Sequence, residues 1–180
     1  MLDDKRLMWE LKHGDKDALR QIYMEYKDNL LTIAVSLLHD VGAAEDVLHD
    51  VFVSFAAGVG RIELRVSLRN YLTASVVNRV RDRYRKKKHH VVELDKIGQP
   101  SSDSYDPGHS AVFAEQSRLL ADALFQLPLE QRETIILHLN GGLKFKEIAD
   151  VQHIPVSTVQ GRYRYGINKL RTILSGDSKK

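Results

Sequence analysis

The chain has 180 residues and no cysteine, which excludes disulfide bonds, thiolate metal sites and a cysteine nucleophile. Hydrophobic residues make up 43% and charged residues 28%, a composition typical of folded domains in water. The first ten residues carry acids where a secretion signal needs basic and apolar segments, and no apolar run approaches the roughly 18 residues of a membrane span. We therefore expect one ordinary domain or two small ones, located in the cytoplasm and without a membrane partner.

The net charge of +3 is distributed unevenly along the chain. Residues 61–90 contain 10 basic and 2 acidic side chains, and residues 129–180 contain 9 and 5. Residues 1–60 contain 6 basic and 11 acidic side chains, and residues 91–128 contain 2 basic and 6 acidic ones. Two basic blocks between acidic ones suggest two surfaces that meet a polyanion. Ordinary solvated helix surfaces are the alternative, and they explain the second block better than the first.

Apolar residues recur at spacings of three and four in the first half of the chain, which predicts a bundle of four helices. The first begins at Asp3 or Asp4 and buries Leu7, Met8 and Leu11. The second, 15–39, places on one face Leu19, Ile22, Tyr23, Tyr26, Leu30, Ile33, Ala34, Leu37 and Leu38. After Gly42 the third buries Val47, Leu48, Val51, Phe52 and Phe55. A loop from Gly58 reaches Ser67, the predicted N-cap of a helix that buries Leu68, Tyr71, Leu72, Val76, Val80 and Tyr84.

Residues 89–110 contain two prolines, two glycines and four acids without a sustained period, which is typical of a flexible linker. Helical periodicity then returns, with these side chains predicted to face inward: Val112, Phe113, Leu119, Leu120, Ala123, Leu124, Leu127, Ile135, Ile136 and Leu139. Pro128 separates these two helices, and Asn140-Gly141-Gly142 ends the second. The predicted fold is all-α: two small helical domains, 1–88 and 111–180, joined by an acidic linker, 89–110.

Residues 143–170 carry the sharpest local pattern, that of a helix-turn-helix. A short helix buries Phe145, Ile148 and Ala149, a turn follows at His153-Ile154, and Pro155 starts a second helix. The predicted inward face of that helix is Val159, Tyr163, Ile167, Leu170 and Leu174. Its opposite face and flanks carry residue types that contact bases and phosphates: Ser157, Thr158, Gln160, Gly161, Arg162, Arg164 and Tyr165. The pattern favours a recognition helix in a DNA major groove, although a plain helical hairpin with a polar outer face shows it too.

Two further charged surfaces are predicted in the first domain. The end of its last helix carries a dense basic run with polar neighbours, in which the candidate DNA-binding residues are Asn78, Arg79, Asp82, Arg83, Arg85 and Lys86. The third helix carries an acidic face, with Asp40, Glu45, Asp46 and Asp50. Acids repel DNA, so this face suggests a basic protein partner; a solvated face with acids near a helix start is an equal alternative.

These motifs together resemble bacterial RNA polymerase sigma factors of the extracytoplasmic-function (ECF) group. GDKDALRQIYMEY and DVGAAEDVLHDVFVSF are similar to the group's opening and its polymerase-binding helix, and NYLTASVVNRVRDRYR to its −10 helix. ALFQLPLEQRETIILHLNGGLKFKEIADVQHIPVSTVQGRYR is similar to its −35 domain. The resemblance covers about 14–88 and 111–174. His49-Asp50 departs from the usual residues of the polymerase-binding helix. Gln160-Gly161 and Tyr165-Gly166 depart from those of the −35 domain, so we expect a different −35 preference.

The resemblance implies a dissociable initiation subunit that makes core RNA polymerase specific for promoters. It implies docking of Asp40, Glu45, Asp46 and Asp50 on the clamp helices of the β′ subunit, with the β flap as a further contact. It places the basic helix and the 58–67 loop at the −10 element and the recognition helix at the −35 element. An anti-sigma factor is a further partner that the resemblance allows.

No enzyme is predicted, because no His, Asp and Glu set has metal-ligand spacing and no phosphate loop is present. We expect no cofactor and no metal. Two rival functions remain open at this point. One is a helix-turn-helix regulator that binds an operator without polymerase, although the first half lacks a receiver domain or ligand-sensing domain. The other is an interaction protein that holds polymerase or a sigma factor without recognising DNA.

Overall fold

The computed structural model describes residues 4–64, 66–91 and 111–175, without the side chains of 87–91 and 111–117. Within these ranges the chain forms eight α-helices and one 3₁₀ turn, with no β-strand, which confirms the all-helical prediction. The chain divides into two compact units, Met1–Ala34 with Gly42–Lys96, and Val35–Val41 with Ile97–Lys180. Most of the predicted linker, residues 92–110, lies outside the described residues, and the domain boundaries stay a prediction.

The helices of the first unit are α1 (Asp4–Lys12), α2 (Lys16–Leu38), α3 (Val41–Gly58) and α4 (Leu68–Val91), with the 3₁₀ turn Val59–Arg61 before α4. Two of them, α2 and α4, start where the sequence supplies a capping oxygen. The Asp15 carboxylate accepts the N–H of Asp17 at 2.8 Å, and the Ser67 hydroxyl accepts the N–H of Asn70 at 3.2 Å. The predicted N-cap Ser67 is thereby confirmed.

The core of the first unit is the set of inward faces that the periodicity predicted. Its fully buried side chains include Leu7, Ile22, Leu30, Ile33, Phe55, Leu68, Leu72 and Val76. The prediction was wrong for Tyr23, which is 39% exposed. Its ring meets Phe52 edge-on at 4.9 Å, so the tyrosine covers the outside of the core and leaves its hydroxyl edge in water.

Asp4 ties three helices of the first unit together. One carboxylate oxygen accepts the Tyr26 hydroxyl of α2 at 2.8 Å, and the other accepts the N–H of Leu68, the first residue of α4, at 3.3 Å. A carboxylate at a helix start satisfies an otherwise unpaired N–H and favours the positive end of the helix dipole. The position of α4 therefore depends on a residue that lies 64 positions earlier in the chain.

The second unit contains α5 (Ala111–Phe125), α6 (Leu129–Leu139), α7 (Phe145–Gln152) and α8 (Val156–Leu174). Pro128 caps α6 instead of joining its first turn, and Asn140 caps its end. Gly141 is required there, because a Cβ would lie 2.5 Å from the Leu137 carbonyl oxygen. His153 adopts the left-handed conformation at φ 54°, which turns the chain between α7 and α8.

The second unit packs around α6, which contacts α5, α7 and α8. Six consecutive residues of α6 are buried for this reason: Arg132, Glu133, Thr134, Ile135, Ile136 and Leu137. A one-sided period cannot describe a helix that is surrounded. Four leucines that were predicted to face inward are exposed instead. They are Leu119 and Leu120 on α5, Leu139 at the end of α6 and Leu174 at the end of α8. Val112 and Phe113 fall where no side chain is described.

The Tyr26–Asp4 hydrogen bond predicts a pH dependence of the first unit's stability. Burial, the hydrogen bond to Asp4 and the Asp4 charge raise the pKa of Tyr26 well above its usual value. The folded state holds this proton more tightly, so the stability is present below the unfolded pKa of about 10 and is lost as pH rises above it. We expect Tyr26→Phe to lower the free energy of unfolding by about 1–2 kcal/mol at pH 8.

The measurement is urea unfolding of wild type and Tyr26→Phe at pH 8, 9.5 and 10.5. Trp9, the sole tryptophan, lies on α1 and serves as the fluorescent reporter for this unit. The stability difference between the two proteins should shrink as the pH rises. A constant or growing difference would show that the Tyr26 proton has no part in holding α1 and α2 together.

Candidate functional site

The predicted −10 residues lie together on the exposed side of α4. Leu72, Val76 and Val80 are buried, which turns Asn78 and Arg79 outward. The other four follow within two turns: Asp82 is half-buried, and Arg83, Arg85 and Lys86 are exposed. All six side chains therefore lie at or near the surface of one nine-residue stretch of α4.

Three arginines of α4 are already engaged by side chains of the first unit. Arg79 donates to the Ser54 hydroxyl at 3.0 Å, and Arg83 pairs with Asp46 at 3.1 Å. Arg85 pairs with Asp82 one turn earlier at 2.9 Å. The Arg83–Asp46 pair is informative, because it joins a candidate DNA-binding residue to a candidate polymerase-binding residue. Charge on these two surfaces is therefore partly neutralised within the chain.

A cleft of about 240 Å³ opens between α3 and α4 beside these residues. Asn78, Arg79 and Asp82 line it with further polar and aromatic side chains, which are Ser54, Tyr71 and Ser75, over a floor of Val51 and Phe55. The combination of an apolar floor, an aromatic ring and amide and hydroxyl groups suits a planar heterocycle with polar edges. Sequence reasoning missed the cleft, because its two walls are at least 16 residues apart in the chain.

The acidic residues of α3 form an exposed ridge, which we call the acidic ridge: Glu45, Asp46 and Asp50. Glu45 and Asp50 are exposed, whereas Asp46 is engaged by Arg83. Asp40 is half-exposed in the turn before α3. The structure thus brings three of the four predicted residues onto one helix and places the fourth just before it.

An apolar groove of about 490 Å³ runs between α2 and α3, next to the acidic ridge. Its lining is Leu19, Tyr23, Leu31, Leu48, Phe52, Val53 and Ala56, with Lys27, Asp28, Glu45 and His49 at its polar positions. Glu45 belongs to both the groove and the ridge. The sequence signal for this groove is Val53, an exposed valine outside the core period of α3.

The recognition helix α8 presents most of its predicted DNA face to solvent. Val159, Gly166 and Leu170 are buried, so the helix packs along that side. Ser157, Thr158, Gln160, Arg164 and Tyr165 are exposed on the other sides, and the Arg164 guanidinium lies 5.2 Å from the Tyr165 ring centroid. A Cβ at Gly161 would meet nothing within 4 Å, so this position is open to a close-approaching surface.

Arg162 differs from its neighbours on α8. It is half-buried, and its guanidinium donates to the Gln152 side-chain oxygen at 3.1 Å. Gln152 in turn donates to Glu133 at 2.8 Å and to the Thr134 hydroxyl at 3.2 Å. Sequence reasoning missed this network, because it placed Arg162 on a flank of the DNA-facing side of α8 and assigned no face to Gln152, Glu133 or Thr134.

The described ranges contain no group of three or more His, Cys, Asp or Glu side chains that could hold a metal ion. No helix among the described residues has the length and apolarity to cross a membrane. The candidate sites are charged and polar surfaces, which suit macromolecular partners.

A helix-turn-helix and a basic helix are typical of a DNA-binding protein, and the acidic ridge beside them is a candidate protein-binding surface. Family models identify the class of DNA-binding protein: residues 22–90 match sigma-70 region 2, and residues 117–170 match sigma-70 region 4. The chain belongs to the sigma-70 family, in its ECF group. Sigma factors are non-enzymatic initiation subunits of RNA polymerase.

Individual relatives align over nearly the whole chain. The ECF RNA polymerase sigma factor SigW of Bacillus subtilis is 27% identical, covering 93% of this chain and 94% of its own. The RNA polymerase sigma factor CarQ of Myxococcus xanthus is 25% identical, covering 93% and 95%.

Two solved structures share the fold. The sigma factor RpoE of Bartonella quintana, in complex with the anti-sigma factor NepR, has a TM-score of 0.77 at 22% identity, over 89% of this chain and 98% of its own. CnrH, in complex with the cytosolic domain of CnrY, has a TM-score of 0.73 at 24% identity. The match covers 97% of this chain and 99% of the CnrH chain.

Two glycines of α8 provide a matched test of how the recognition helix is packed. Gly161→Ala should stabilise the second unit by about 0.5–1 kcal/mol, because alanine favours helix and the site is open. Gly166→Ala should instead destabilise it by about 1 kcal/mol, because the new Cβ would lie 2.8 Å from Ile135 Cδ1 and 3.2 Å from Gln131 Cβ.

Urea unfolding followed by far-UV circular dichroism measures both changes. Trp9 fluorescence is the internal control, because this residue lies in the other unit and its transition should stay in place. Equal effects of the two substitutions would contradict the packing of α8 against α6.

Proposed function

We propose that this sigma factor docks on core RNA polymerase through the acidic ridge and apolar groove of α3, and selects promoters through α4 and α8. The observation that carries the proposal is the division of α3 into separate faces. One side borders the groove with α2, and another borders the cleft with α4. Polymerase and promoter DNA can then occupy the first unit at the same time.

Docking on polymerase combines charge with apolar contact. Glu45 and Asp50 are exposed carboxylates that attract a basic partner and orient its approach. The groove beside them provides apolar area, which supplies most of the free energy of stable association. A partner helix with basic residues along one edge and apolar residues along the next fits this surface, and we identify it with the β′ clamp helices.

Recognition of the −10 element requires the arginines of α4 to change partners. Arg83 and Arg85 are held by exposed ion pairs, and such pairs contribute about 0–1 kcal/mol each. Little free energy is therefore lost when these arginines leave a carboxylate to bind a DNA phosphate. The cleft lined by Asn78 then offers a place for a base that leaves the duplex, which offsets an unstacking free energy of a few kcal/mol.

Recognition of the −35 element falls to α8. Gln160 and Arg164 are exposed in the first half of the helix, where they can reach base edges in a major groove, and Ser157 and Thr158 suit phosphate contacts. Glutamine forms paired hydrogen bonds with adenine, whereas arginine forms them with guanine. We infer that the −35 element contains an adenine opposite Gln160.

The remaining predictions follow from this assignment. The region 2 family match makes a stand-alone operator-binding regulator the less favoured function. A sigma factor works where core polymerase is, so we place the chain in the cytoplasm and assign it no reaction of its own. An anti-sigma factor is the regulator we expect, because solved relatives of the same fold were captured with one.

The acidic ridge is tested by charge reversal. Asp46 is a poor choice, because its replacement by lysine would also break the ion pair with Arg83. Glu45→Lys with Asp50→Lys reverses two exposed charges, and we expect affinity for core RNA polymerase to fall about tenfold or more, chiefly at low salt. The measurement is a titration of labelled full chain into core enzyme at two salt concentrations.

Glu25→Lys is the matched control for this experiment. Glu25 is exposed on α2 and does not line the groove, so its reversal should leave the affinity nearly unchanged. The control reverses one charge and the double variant two, so a loss of log affinity in the control that is half that of the double variant would mean that only net charge matters. Wild-type binding that the double variant retains would remove the acidic ridge from the interface.

Gln160 is tested by a change of specificity. Gln160→Arg should move the preferred base at one −35 position from adenine to guanine, with discrimination on the order of tenfold. The measurement is selection from a promoter library with randomised −35 positions, using holoenzyme made with each protein. An unchanged motif would exclude Gln160 from base contact, and lost binding to every sequence would point to a phosphate role.

A further inference from the structure

The buried polar network of the second unit points to a role for Arg162 that differs from those of its neighbours on α8. Arg162 donates to Gln152, which lies on α7 and is 7% exposed. Gln152 donates both to Glu133, which is 2% exposed, and to Thr134 on α6. The network therefore connects all three helices that form the helix-turn-helix and its support.

The donor and acceptor chemistry fixes the orientation of this network. A guanidinium only donates and a carboxylate only accepts, so the Gln152 amide must turn its oxygen to Arg162 and its nitrogen to Glu133. Thr134 donates its own hydroxyl hydrogen to the Glu130 carbonyl oxygen at 2.7 Å, which leaves its oxygen to accept from Gln152. Every polar group of the Gln152 side chain thereby has a partner.

The position of Arg162 along α8 agrees with an inward role. Val159 and Gly166 lie three residues before and four residues after it, and both are buried. Gly166 packs within contact distance of Ile135, the residue after Thr134 on α6. Arg162 therefore belongs to the edge of the packed face, between two close contacts with the core, whereas Gln160 and Arg164 are exposed.

We propose that Gln152 and Arg162 are positioning residues, which lock the rotation of the recognition helix against the buried carboxylate of Glu133. Arg162 then holds α8 so that Gln160 and Arg164 face the DNA, and it does not itself neutralise a phosphate. The part that concerns DNA rests on the proposed function, whereas the lock itself is a property of the free chain.

The lock predicts coupling between the two positions. Arg162→Lys keeps the charge but loses the planar fork, and Gln152→Leu keeps the approximate volume but leaves Glu133 without this donor. Each should raise the unfolding equilibrium constant of the second unit about tenfold, since a broken buried hydrogen bond to a charged group has about that effect. The double variant should be little worse than the more severe single variant, because the same bond is lost only once.

The measurement for this arm is urea unfolding of the full chain by circular dichroism, with Trp9 fluorescence as the unaffected reporter of the other unit. Arg164→Lys is the control, and it should leave stability within about twofold because Arg164 is exposed. Multiplicative effects of the two lock substitutions, or an Arg162→Lys variant as stable as wild type, would overturn the lock.

A second arm separates positioning from phosphate contact. Each phosphate contact that is lost reduces the slope of log affinity against log salt by about 0.9. Holoenzyme containing Arg162→Met should bind promoter DNA with the wild-type slope at reduced affinity, whereas Arg85→Met, which removes a proposed phosphate contact of α4, should lower the slope. A slope reduced equally by both would overturn the positioning role.

The two arms also keep this inference distinct from the proposed function. If wild-type holoenzyme bound no promoter, the proposed function would fail while the stability coupling could still be measured. If Arg162→Met did not fold, Arg162→Lys and Gln152→Leu would still decide the first arm.

Discussion

The packing of α3 between α2 and α4 is the constraint on which the first unit's function depends. Val47, Val51 and Phe55 occupy the core, so the remaining sides of the helix are available to other partners. One side forms an apolar groove with α2, and the other forms a polar cleft with α4. The acidic ridge lies on the same helix and reaches α4 through the Asp46–Arg83 pair. A single helix thus separates the surface proposed to bind polymerase from the surface proposed to bind DNA.

In the second unit, the contacts of α8 with its neighbours determine which face of this helix is exposed. Val159 and Leu170 supply apolar contacts, and Gly166 allows α8 to approach α6 closely. Apolar packing tolerates small rotations, whereas a hydrogen-bonded network of donors and acceptors does not. The two successive hydrogen bonds from Arg162 to Gln152 and from Gln152 to Glu133 restrict the rotation of α8 in this way. A rotation of α8 would move Gln160 and Arg164 away from the bases they are proposed to contact.

Most of the fold could be predicted from the sequence, because the buried face of an amphipathic helix is marked by apolar residues that recur every three or four positions. The faces of α1 and α4 and the cap at Ser67 are as predicted. The prediction failed for α6, whose residues 132–137 are all buried, since a central helix has no single inward face. Leu139 lies beyond that contact and is exposed despite its type.

The candidate sites were predicted as residue sets but not as surfaces. The family resemblance singled out Asn78, Asp82 and Arg85, yet it could not show that Ser54 completes a cleft with Asn78 and Asp82. Nor could it show that Asp46 and Arg83 pair with each other, because 37 residues separate them. Such relations arise from tertiary packing, which a local period does not encode.

Mapping of transcript starts would show whether this chain makes RNA polymerase specific for promoters. Core RNA polymerase would transcribe fragmented bacterial genomic DNA with and without the purified chain, and the 5′ ends of the transcripts would be sequenced. If α4 and α8 act as proposed, addition of the chain produces starts at a limited set of sites that share two motifs at a fixed spacing. Starts no different from those of core enzyme alone would contradict the assignment.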